Sequence, residues 1–380
     1  MTSDDAGLTD GNAADLEAAG LYDPQAPGAA EVLDLLDYLV DKIGASLPEL
    51  VQSAEQGGLL SFAAFRSLQA GRERYTLSEA ADAAGISREL ALQIWRSSGF
   101  AEPRPFERRF GMHDVAMFEL VRAFTSLVGR ESVLQLTRTM GESIARIAEA
   151  EVALLRSNIE APLVESRRLV EVARTYREVA VRLFPPISDA IETLHRHHLQ
   201  AIGRRYSDVG APTSALNVVQ LAVGFADLAG YTGLWREGTT SELAAMLARF
   251  EMVTGDVIVG AGATVAKRIG DAVMYVANAP GVACALAVEL IDACAAAGLP
   301  KLRVGLAFGD VMVRQGDFYG PVVNLAARLV GTAEAGTALT DVRMFERLAR
   351  VRGGYTFVGA GRVPLAGFFD LVETYQILRA

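Results

Sequence analysis

Residues 264–276 read Thr-Val-Ala-Lys-Arg-Ile-Gly-Asp-Ala-Val-Met-Tyr-Val, which is two short β-rich runs joined at Gly270-Asp271. A Gly-Asp pair between two such runs is typical of a tight β-hairpin turn. The stretch therefore predicts two neighbouring antiparallel strands, Thr264–Ile269 and Ala272–Val276, with a carboxylate at the turn.

The sequence on both sides of this hairpin extends it into a β-α-β-β-α-β order, which is the ferredoxin-like arrangement. Periodicity and composition predict the other elements, which in chain order are a strand at Val218–Phe225, helices at Ser241–Val259 and Val282–Ala297, a strand at Leu302–Ala307, a helix at Pro321–Val330, and strands at Tyr355–Val358 and Thr374–Leu378. We therefore predict one α/β domain over residues 215–380.

The front half has a different pattern. Residues 29–186 carry apolar side chains at helical spacing with little strand-like alternation, which predicts an all-helical domain. Residues 1–28 are acidic and rich in small side chains, so we expect a disordered tail there. Residues 187–214 read as a linker helix followed by a linker. The whole chain is thus predicted to be α+β.

Hydropathy, cysteine spacing and net charge limit the cellular compartment and the classes of partner that we expect for the protein. No apolar run reaches the 18 or so residues of a membrane-spanning helix, and no signal peptide is recognisable. Cys284 and Cys294 have neither metal-knuckle nor disulfide-framework spacing, which favours a reducing compartment. We expect a cytoplasmic protein without a transmembrane segment. The net charge of −10 argues against general nucleic-acid binding.

Two aspartates are candidates for a metal site. Residues 225–232, Phe-Ala-Asp-Leu-Ala-Gly-Tyr-Thr, place Asp227 at the end of a predicted strand, and Asp271 occupies the hairpin turn. Side-by-side strands would bring both carboxylates to one edge of the sheet, and paired carboxylates with open water positions suit Mg²⁺ or Mn²⁺. Taken singly, each aspartate is better explained as a turn or cap residue, and the metal-site interpretation depends on the flanking residues.

A third cluster runs from Gly316 to Arg328 as Gly-Asp-Phe-Tyr-Gly-Pro-Val-Val-Asn-Leu-Ala-Ala-Arg. Asn324 and Arg328 are four residues apart on a predicted helix and hence share one face. A guanidinium offers fixed donors that match phosphate. The plain alternative is an exposed asparagine and a surface-paired arginine.

The three clusters together closely resemble the catalytic motifs of class III nucleotide cyclases, and the resemblance covers residues 215–380. It implies formation of 3′,5′-cyclic AMP and pyrophosphate from ATP, with two Mg²⁺ or Mn²⁺ ions per site. In that family, Asp227 and Asp271 would hold the metals, Lys267 and Asp317 would read the adenine edge and reject guanine, Asn324 would position the ribose, and Arg328 would stabilise charge on the α-phosphate.

The resemblance also implies an oligomer. In the family, the metal aspartates of a site come from one domain and the base readers, asparagine and arginine come from its partner. This chain has one such domain with all six residues, so we expect a homodimer with two shared active sites.

The helical half is similar to the regulatory domain that precedes the cyclase in some soluble bacterial adenylate cyclases, including pH-responsive ones. Within it, residues 75–115 resemble the helix-turn-helix and wing of MerR-like DNA-binding domains. Thr76 or Ser78 would cap the first helix, Gly85 would form the turn, and Ser87 would cap the second helix. The competing hypothesis is a MerR-like transcription regulator with a nucleotide-sensing, non-catalytic cyclase-like domain. A helix-turn-helix used only for packing remains the plainer interpretation.

Histidine makes pH the favoured input to the regulatory half. All four histidines precede residue 215, and His198 lies on an apolar helical stripe directly before the linker. Imidazole is the side chain that ordinarily changes charge between pH 5 and 8, so His198 is the candidate sensor. The alternatives are a solvated histidine patch and, as input, a lipid or other small ligand of the helical domain.

Overall fold

The protein is described by a computed structural model, which covers residues 10–69, 74–207, 218–230, 239–351 and 353–380. The chain divides into two compact units, Met1–His198 and Leu199–Ala380. No helix in the described ranges is both long and apolar enough to cross a membrane.

The described part of the first unit consists of helices joined by loops, with one isolated β-bridge between Tyr75 and Phe110. Its helices are α1 (Asp10–Ala18), α2 (Ala29–Asp37), α3 (Leu47–Glu55), α4 (Phe62–Gln69), α5 (Leu77–Ala83), α6 (Arg88–Ser97), α7 (Met112–Val128), α8 (Arg130–Leu155), α9 (Ala161–Glu165), α10 (Leu169–Glu178) and α11 (Phe184–Ser207), the last of which runs on into the second unit. Helix α11 follows a π-helical turn, Val179–Leu183. Pro185 and Pro186 explain this turn, because neither has the amide hydrogen that a regular helix needs there.

The predicted disordered tail is wrong for residues 10–28. Helix α1 forms there, and Leu16 and Leu21 are buried in a cluster with Leu35, Leu36 and other apolar side chains of α2 and α3. The composition of this segment did not indicate the helix, because burial of only two leucines is enough to anchor it. Residues 1–9 lie outside the described part of the chain.

The helix-turn-helix prediction describes α5 and α6 well. The Thr76 hydroxyl accepts from the Glu79 amide, and the Ser87 hydroxyl accepts from the Leu90 amide. Gly85 has a φ of 67° at the turn between the helices. These helices share a core with α7 and the start of α8, so the segment folds as a packed unit.

The second unit is an eight-stranded mixed sheet with helices on both faces. Its elements are β1 (Val218–Leu228), α12 (Thr240–Gly260), β2 (Thr264–Ile269), β3 (Ala272–Ala277), α13 (Pro280–Ala296), β4 (Leu302–Arg314), β5 (Asp317–Tyr319), α14 (Pro321–Thr332), β6 (Ala338–Asp341), α15 (Val342–Leu348), β7 (Tyr355–Val363) and β8 (Val372–Arg379). The strand order is β2-β3-β1-β4-β6-β8-β7, with β5 paired to β4. The predicted fold class is therefore confirmed, and β5, β6 and α15 are additions to it.

Strand β1 lies between two hydrophobic cores, one on each face of the sheet. Ala222, Ala226 and Leu228 face a core that also contains side chains of α12 and α13. Val219 and Val223 face a second core, shared with α14. This alternation explains why the run is apolar at nearly every position. Asp227 is the charged exception, one residue before the end of the strand.

Gly305 allows α14 to lie directly on β4. A Cβ atom at this position would stand 2.2 Å from the Val330 amide nitrogen and 2.4 Å from the Ala326 carbonyl oxygen. Only glycine permits such a close approach between a strand and a helix backbone. The helix that carries Asn324 and Arg328 is thus held at a depth that a single side-chain carbon would change.

Candidate active site

Asp227 and Asp271 lie at the same end of two adjacent strands. Asp227 is paired in register with Ala272 of β3, and Asp271 is the turn residue just before Ala272. The Leu228 amide donates to the Asp271 carbonyl at 3.2 Å. The hairpin thus carries the second carboxylate to the end of the strand that carries the first.

Arg303 is the residue that this site contains and the sequence prediction missed. It is the register partner of Asp227 on β4. Its Nε and one terminal nitrogen each donate to an Asp227 carboxylate oxygen at 2.9 Å. The two side chains are only 29% and 20% exposed, so this bidentate pair is partly shielded from water. A signal existed: Arg303 is the only charged residue in the otherwise apolar run Leu302–Ala307, and arginine is seldom buried without a partner.

The electrostatics of Asp227 combine three influences. Burial raises the pKa of this carboxyl, the Arg303 guanidinium opposes the rise, and the Asp271 carboxylate adds to it, so that the net pKa lies above the ordinary value. A partly buried carboxyl whose negative charge is disfavoured by a neighbouring carboxylate creates a place where a cation is favourable.

The two carboxylates fit a divalent metal ion whose remaining ligands are supplied by water and by the substrate. In the part of the chain that the structure describes, no three His, Cys, Asp or Glu side chains cluster as a metal cage. Mg²⁺ is commonly held by one or two carboxylates together with waters and substrate phosphates, which is what Asp227 and Asp271 can supply. Arg303 would compete with the ion for Asp227.

Lys267 and Asp317 contact each other directly. Lys267 Nζ lies 2.8 and 2.6 Å from the two carboxylate oxygens of Asp317, one of which also accepts from the Phe318 amide at 2.8 Å. Burial acts to raise the pKa of Asp317, but the lysine, this amide and the Tyr319 hydroxyl outweigh it and leave the pKa below its usual value. The pair therefore presents an ionised acceptor and a charged donor side by side.

A tight turn brings Asp317 into this position. Arg314 of β4 pairs with Asp317 of β5, and Gln315 and Gly316 between them have φ values of 54° and 76°. Two successive positive φ values are characteristic of the type I′ hairpin, for which glycine is well suited. The short β4–β5 hairpin thus places the carboxylate against a lysine fifty residues earlier in the chain.

Asn324 and Arg328 project from the outer face of α14. Both are exposed, while Val322, Ala326 and Leu329 are buried on the inner face. Within the described residues, neither outer side chain has a hydrogen-bonding or ionic partner. The structure therefore brings Asp227 next to Asp271 and Lys267 next to Asp317, and leaves the asparagine–arginine face open.

His198 belongs to a different part of the molecule. It lies on α11, where the described side chains from residue 192 to 203 are all exposed. The sequence prediction placed it on an apolar stripe. Ile187 and Ile191 of that stripe are half-buried, whereas Leu194 and Ile202 are exposed, as His198 is.

Comparison with known proteins agrees with the geometry. Residues 215–379 match the model of the adenylate and guanylate cyclase catalytic domain. The match begins just before β1 and covers every strand of the sheet.

Relatives extend the similarity into the helical half. An uncharacterized protein of Mycobacterium tuberculosis is 34% identical over 366 residues, which is 95% of this chain and 93% of the relative. An adenylate cyclase of Streptomyces coelicolor is 34% identical over 73% of each chain. A pH-sensitive adenylate cyclase of Mycobacterium tuberculosis is 25% identical over 78% of this chain and 76% of the relative. The chain therefore belongs to the class III adenylate cyclase family.

Proposed function

We propose that this protein converts ATP to 3′,5′-cyclic AMP and pyrophosphate, in a site that uses Asp227 and Asp271 to hold two Mg²⁺ or Mn²⁺ ions. The observation that carries the proposal is the proximity of these two carboxylates. Asp227 lies at the end of β1, and Asp271 lies in the adjoining β2–β3 turn. Bound there, the ions would supply positive charge for the α-phosphate and the leaving pyrophosphate.

The side chains of the protein contribute position and charge. The ribose 3′-hydroxyl attacks the α-phosphate of the same molecule, so no protein nucleophile is required and orientation provides much of the rate. Asn324 orients the ribose, and Arg328 donates to the oxygens on which charge develops. Their open, unpartnered face on α14 supports this role because the donors are available to a ligand.

Lys267 and Asp317 select adenine. Lysine donates to a ring nitrogen of the base, and the carboxylate accepts from the exocyclic amine. Guanine presents an acceptor where adenine has that amine, and two acceptors facing each other are unfavourable. Their direct contact, with Lys267 Nζ 2.8 and 2.6 Å from the two Asp317 carboxylate oxygens, supports the assignment because a donor and an acceptor this close together lie within the span of one base edge.

The direct test is a turnover assay of the full-length protein with Mn²⁺ and ATP, and with Mn²⁺ and GTP in parallel. Cyclic AMP formation well above cyclic GTP formation would support the proposal. A folded, dimeric protein that forms neither product would refute it and favour a nucleotide-sensing regulator.

Exchanging the base readers should damage ATP turnover sharply. The double variant Lys267→Glu, Asp317→Cys carries the residue types that guanylate cyclases use. We expect a fall in kcat/KM for ATP of about a hundredfold or more, because a site built for one hydrogen-bond pattern is left with unpaired groups. Steady-state kinetics with both nucleotides measure this. An unaltered preference for ATP would contradict the role of the pair.

We also propose that the active sites are shared between two copies of the chain. Lys267 and Asp271 are four residues apart, yet they act at opposite ends of the nucleotide, which supports the family arrangement in which each site takes its metal ligands from one copy and its base readers from the other.

The helical half is proposed to regulate the enzyme in response to pH through α11. The 25% identical relative that is named as pH-sensitive supports this idea, as does the concentration of three histidines on this helix. The charged and titratable residues just before His198 on the same helix are His195, His197 and the ion pair between Arg196 and Glu192.

Replacing His198 should change the pH response. His198→Leu removes an imidazole, which is the side chain that ordinarily changes charge between pH 5 and 8. If protonation differs by one pKa unit between two arrangements, the equilibrium between them shifts about tenfold. We expect the acidic limb of the pH–activity profile to move in His198→Leu and to stay in place in His113→Leu, which removes an exposed histidine of α7. Superimposable profiles for both variants and the wild type would exclude His198 as the sensor.

The ion pairs of the helix-turn-helix favour a role in packing over a role in DNA binding. Arg88 and Arg96 on α6 both pair with Glu102, at 3.2 and 2.7 Å, and Arg108 pairs with Glu79 at 2.7 Å. Guanidinium groups that already pair with carboxylates within the chain have less to gain from phosphates.

A further inference from the structure

A cavity of about 500 Å³ lies on the face of the catalytic sheet opposite to α14. Gln220 of β1 and Phe308 of β4 line it, and Phe308 packs against the core formed with α12 and α13. In β1, Gln220 alternates with Val219 and Leu221, which face the other core, the one shared with α14. The cavity is large enough to hold a small metabolite.

This cavity is separate from the proposed active site. Gln220 and Asp227 are seven residues apart on β1, which is about 23 Å at the usual strand rise, and an odd separation points their side chains to opposite faces. The base-reading Lys267 is the register partner of Met274, which belongs to the core shared with α14. A compound in the cavity would therefore not occupy the place of the substrate.

Two arginines of α15 determine the class of ligand. Arg343 and Arg347 both line the cavity and are one helical turn apart, so they share one side of the helix. Arg347 lies 4.6 Å from the centre of the Phe308 ring. Glu346 also lines the cavity, but within the described residues neither guanidinium group has an ion pair or a hydrogen bond. Two like charges at this spacing repel each other, and an anion bound between them would remove that repulsion. Phosphate fits well, because guanidinium groups offer paired donors that match its oxygens.

The strand side of the cavity offers hydrogen-bond acceptors. Gln220 Nε2 donates to Asp310 Oδ1 at 3.3 Å. Among the described residues, the second carboxylate oxygen of Asp310 and the amide oxygen of Gln220 have no partner. These oxygens can accept from hydroxyl groups, whereas the charge of Asp310 disfavours a second anionic group beside it. The lining therefore suits a compound with a phosphate at one end and uncharged hydroxyl groups at the other.

We propose that this cavity binds a small sugar phosphate, with the phosphate at Arg343 and Arg347 and the hydroxyl groups at Asp310 and Gln220. The site would be a second ligand site of the domain, on the far side of the sheet from the substrate.

The lining of the cavity also contacts the start of α14. A Cβ atom on Gly309, which lines the cavity, would stand 3.0 Å from the Val322 side chain. A Cβ atom on Gly320, the residue before α14, would stand 3.4 Å from the Asp310 carbonyl oxygen. Binding in the cavity is therefore expected to alter turnover through α14. This regulatory part rests on the proposed function, because it assumes that two side chains of α14 act on the substrate.

Isothermal titration calorimetry of the full-length protein with ribose 5-phosphate tests the site, with ribose as the uncharged control ligand. The double variant Arg343→Gln, Arg347→Gln removes both guanidinium groups. Arg350→Gln is the matched control, because Arg350 is an exposed arginine just after α15 that does not line the cavity. We expect wild type and control to bind ribose 5-phosphate with the same Kd, and the double variant to bind at least about tenfold more weakly, because charge-assisted hydrogen bonds are lost.

Three results would overturn the proposed site: no binding of ribose 5-phosphate by the wild type, equal binding of ribose, or an unchanged Kd in the double variant. Thermal unfolding of each preparation checks that the substitutions leave the protein folded. The substituted side chains are exposed, so we expect no loss of stability.

Turnover measured on the same preparations separates the site from its effect. With ribose 5-phosphate present, we expect kcat/KM for ATP to change at least about fivefold in the wild type and in Arg350→Gln, and to stay constant in the double variant. Binding without such a change rejects the link to α14 alone. Binding that depends on the two arginines, in a protein without turnover, rejects the enzymatic proposal alone.

Discussion

Replacing Asp227 or Asp271 by alanine is expected to lower cyclic AMP formation more than about a hundredfold, because loss of metal-assisted charge stabilisation removes several kcal/mol of barrier reduction. Asp271→Ala is the cleaner variant, since its side chain has no hydrogen bond or ion pair with any described residue. Asp227→Ala also leaves the half-buried Arg303 without its partner, so some loss of stability should accompany it.

Thermal unfolding and product formation, measured on the same preparations, separate these effects. Asp292→Ala serves as a control, because it removes an exposed aspartate of α13 that pairs with Arg379 on the surface. We expect the control to keep its turnover. Mn²⁺-dependent turnover within a few-fold of wild type in Asp271→Ala would remove that residue from the metal site.

Two inactive variants should restore each other when mixed. Asp227→Ala damages the metal half of a shared site and Arg328→Ala damages the other half. In a heterodimer of the two, one site collects both lesions and the other collects none. With random exchange, half of the dimers are mixed and each has one intact site, so activity should return to about one quarter of wild type.

The same experiment contains its own control. Asp227→Ala mixed with Asp271→Ala places one lesion in each site of the heterodimer, so no recovery is expected. Heterodimer formation can be followed with two different affinity tags. If proven heterodimers of the first pair remain inactive, the sites are not shared in the proposed way.

The sequence could predict the catalytic sheet because its signals are local. The Gly270-Asp271 turn, the alternation of β1 and the helical spacing after Pro321 each depend on a few neighbouring residues. The meeting of Asp227 with Arg303 depends instead on the register of two strands more than seventy residues apart. No local pattern fixes that register, and the lone arginine in an apolar run was the only hint.

In the helical half, the sequence predicted the type of secondary structure but not the positions at which helices break. Apolar spacing predicted an all-helical domain over residues 29–186, but it did not mark the turn at Arg167, whose φ is 56°, before α10 begins. Periodicity identifies which residues can be helical, and it does not show where packing between helices favours a break. Helix α1 was missed for the related reason that its burial depends on contacts with α2 and α3.

The close contact at Gly305 has a consequence for how this enzyme can vary. The position of Arg328 depends on Gly305 having only a hydrogen atom as its side chain. Gly305 lies in the core, on a strand that bears none of the six proposed catalytic residues. We expect an alanine there to lift α14 and displace the two side chains that we propose act on the substrate, while leaving every polar group intact. Mutational tolerance in such a domain should therefore be lowest at some of its least reactive positions, and natural sequence drift at this glycine would silence the enzyme without leaving a trace in its catalytic motifs.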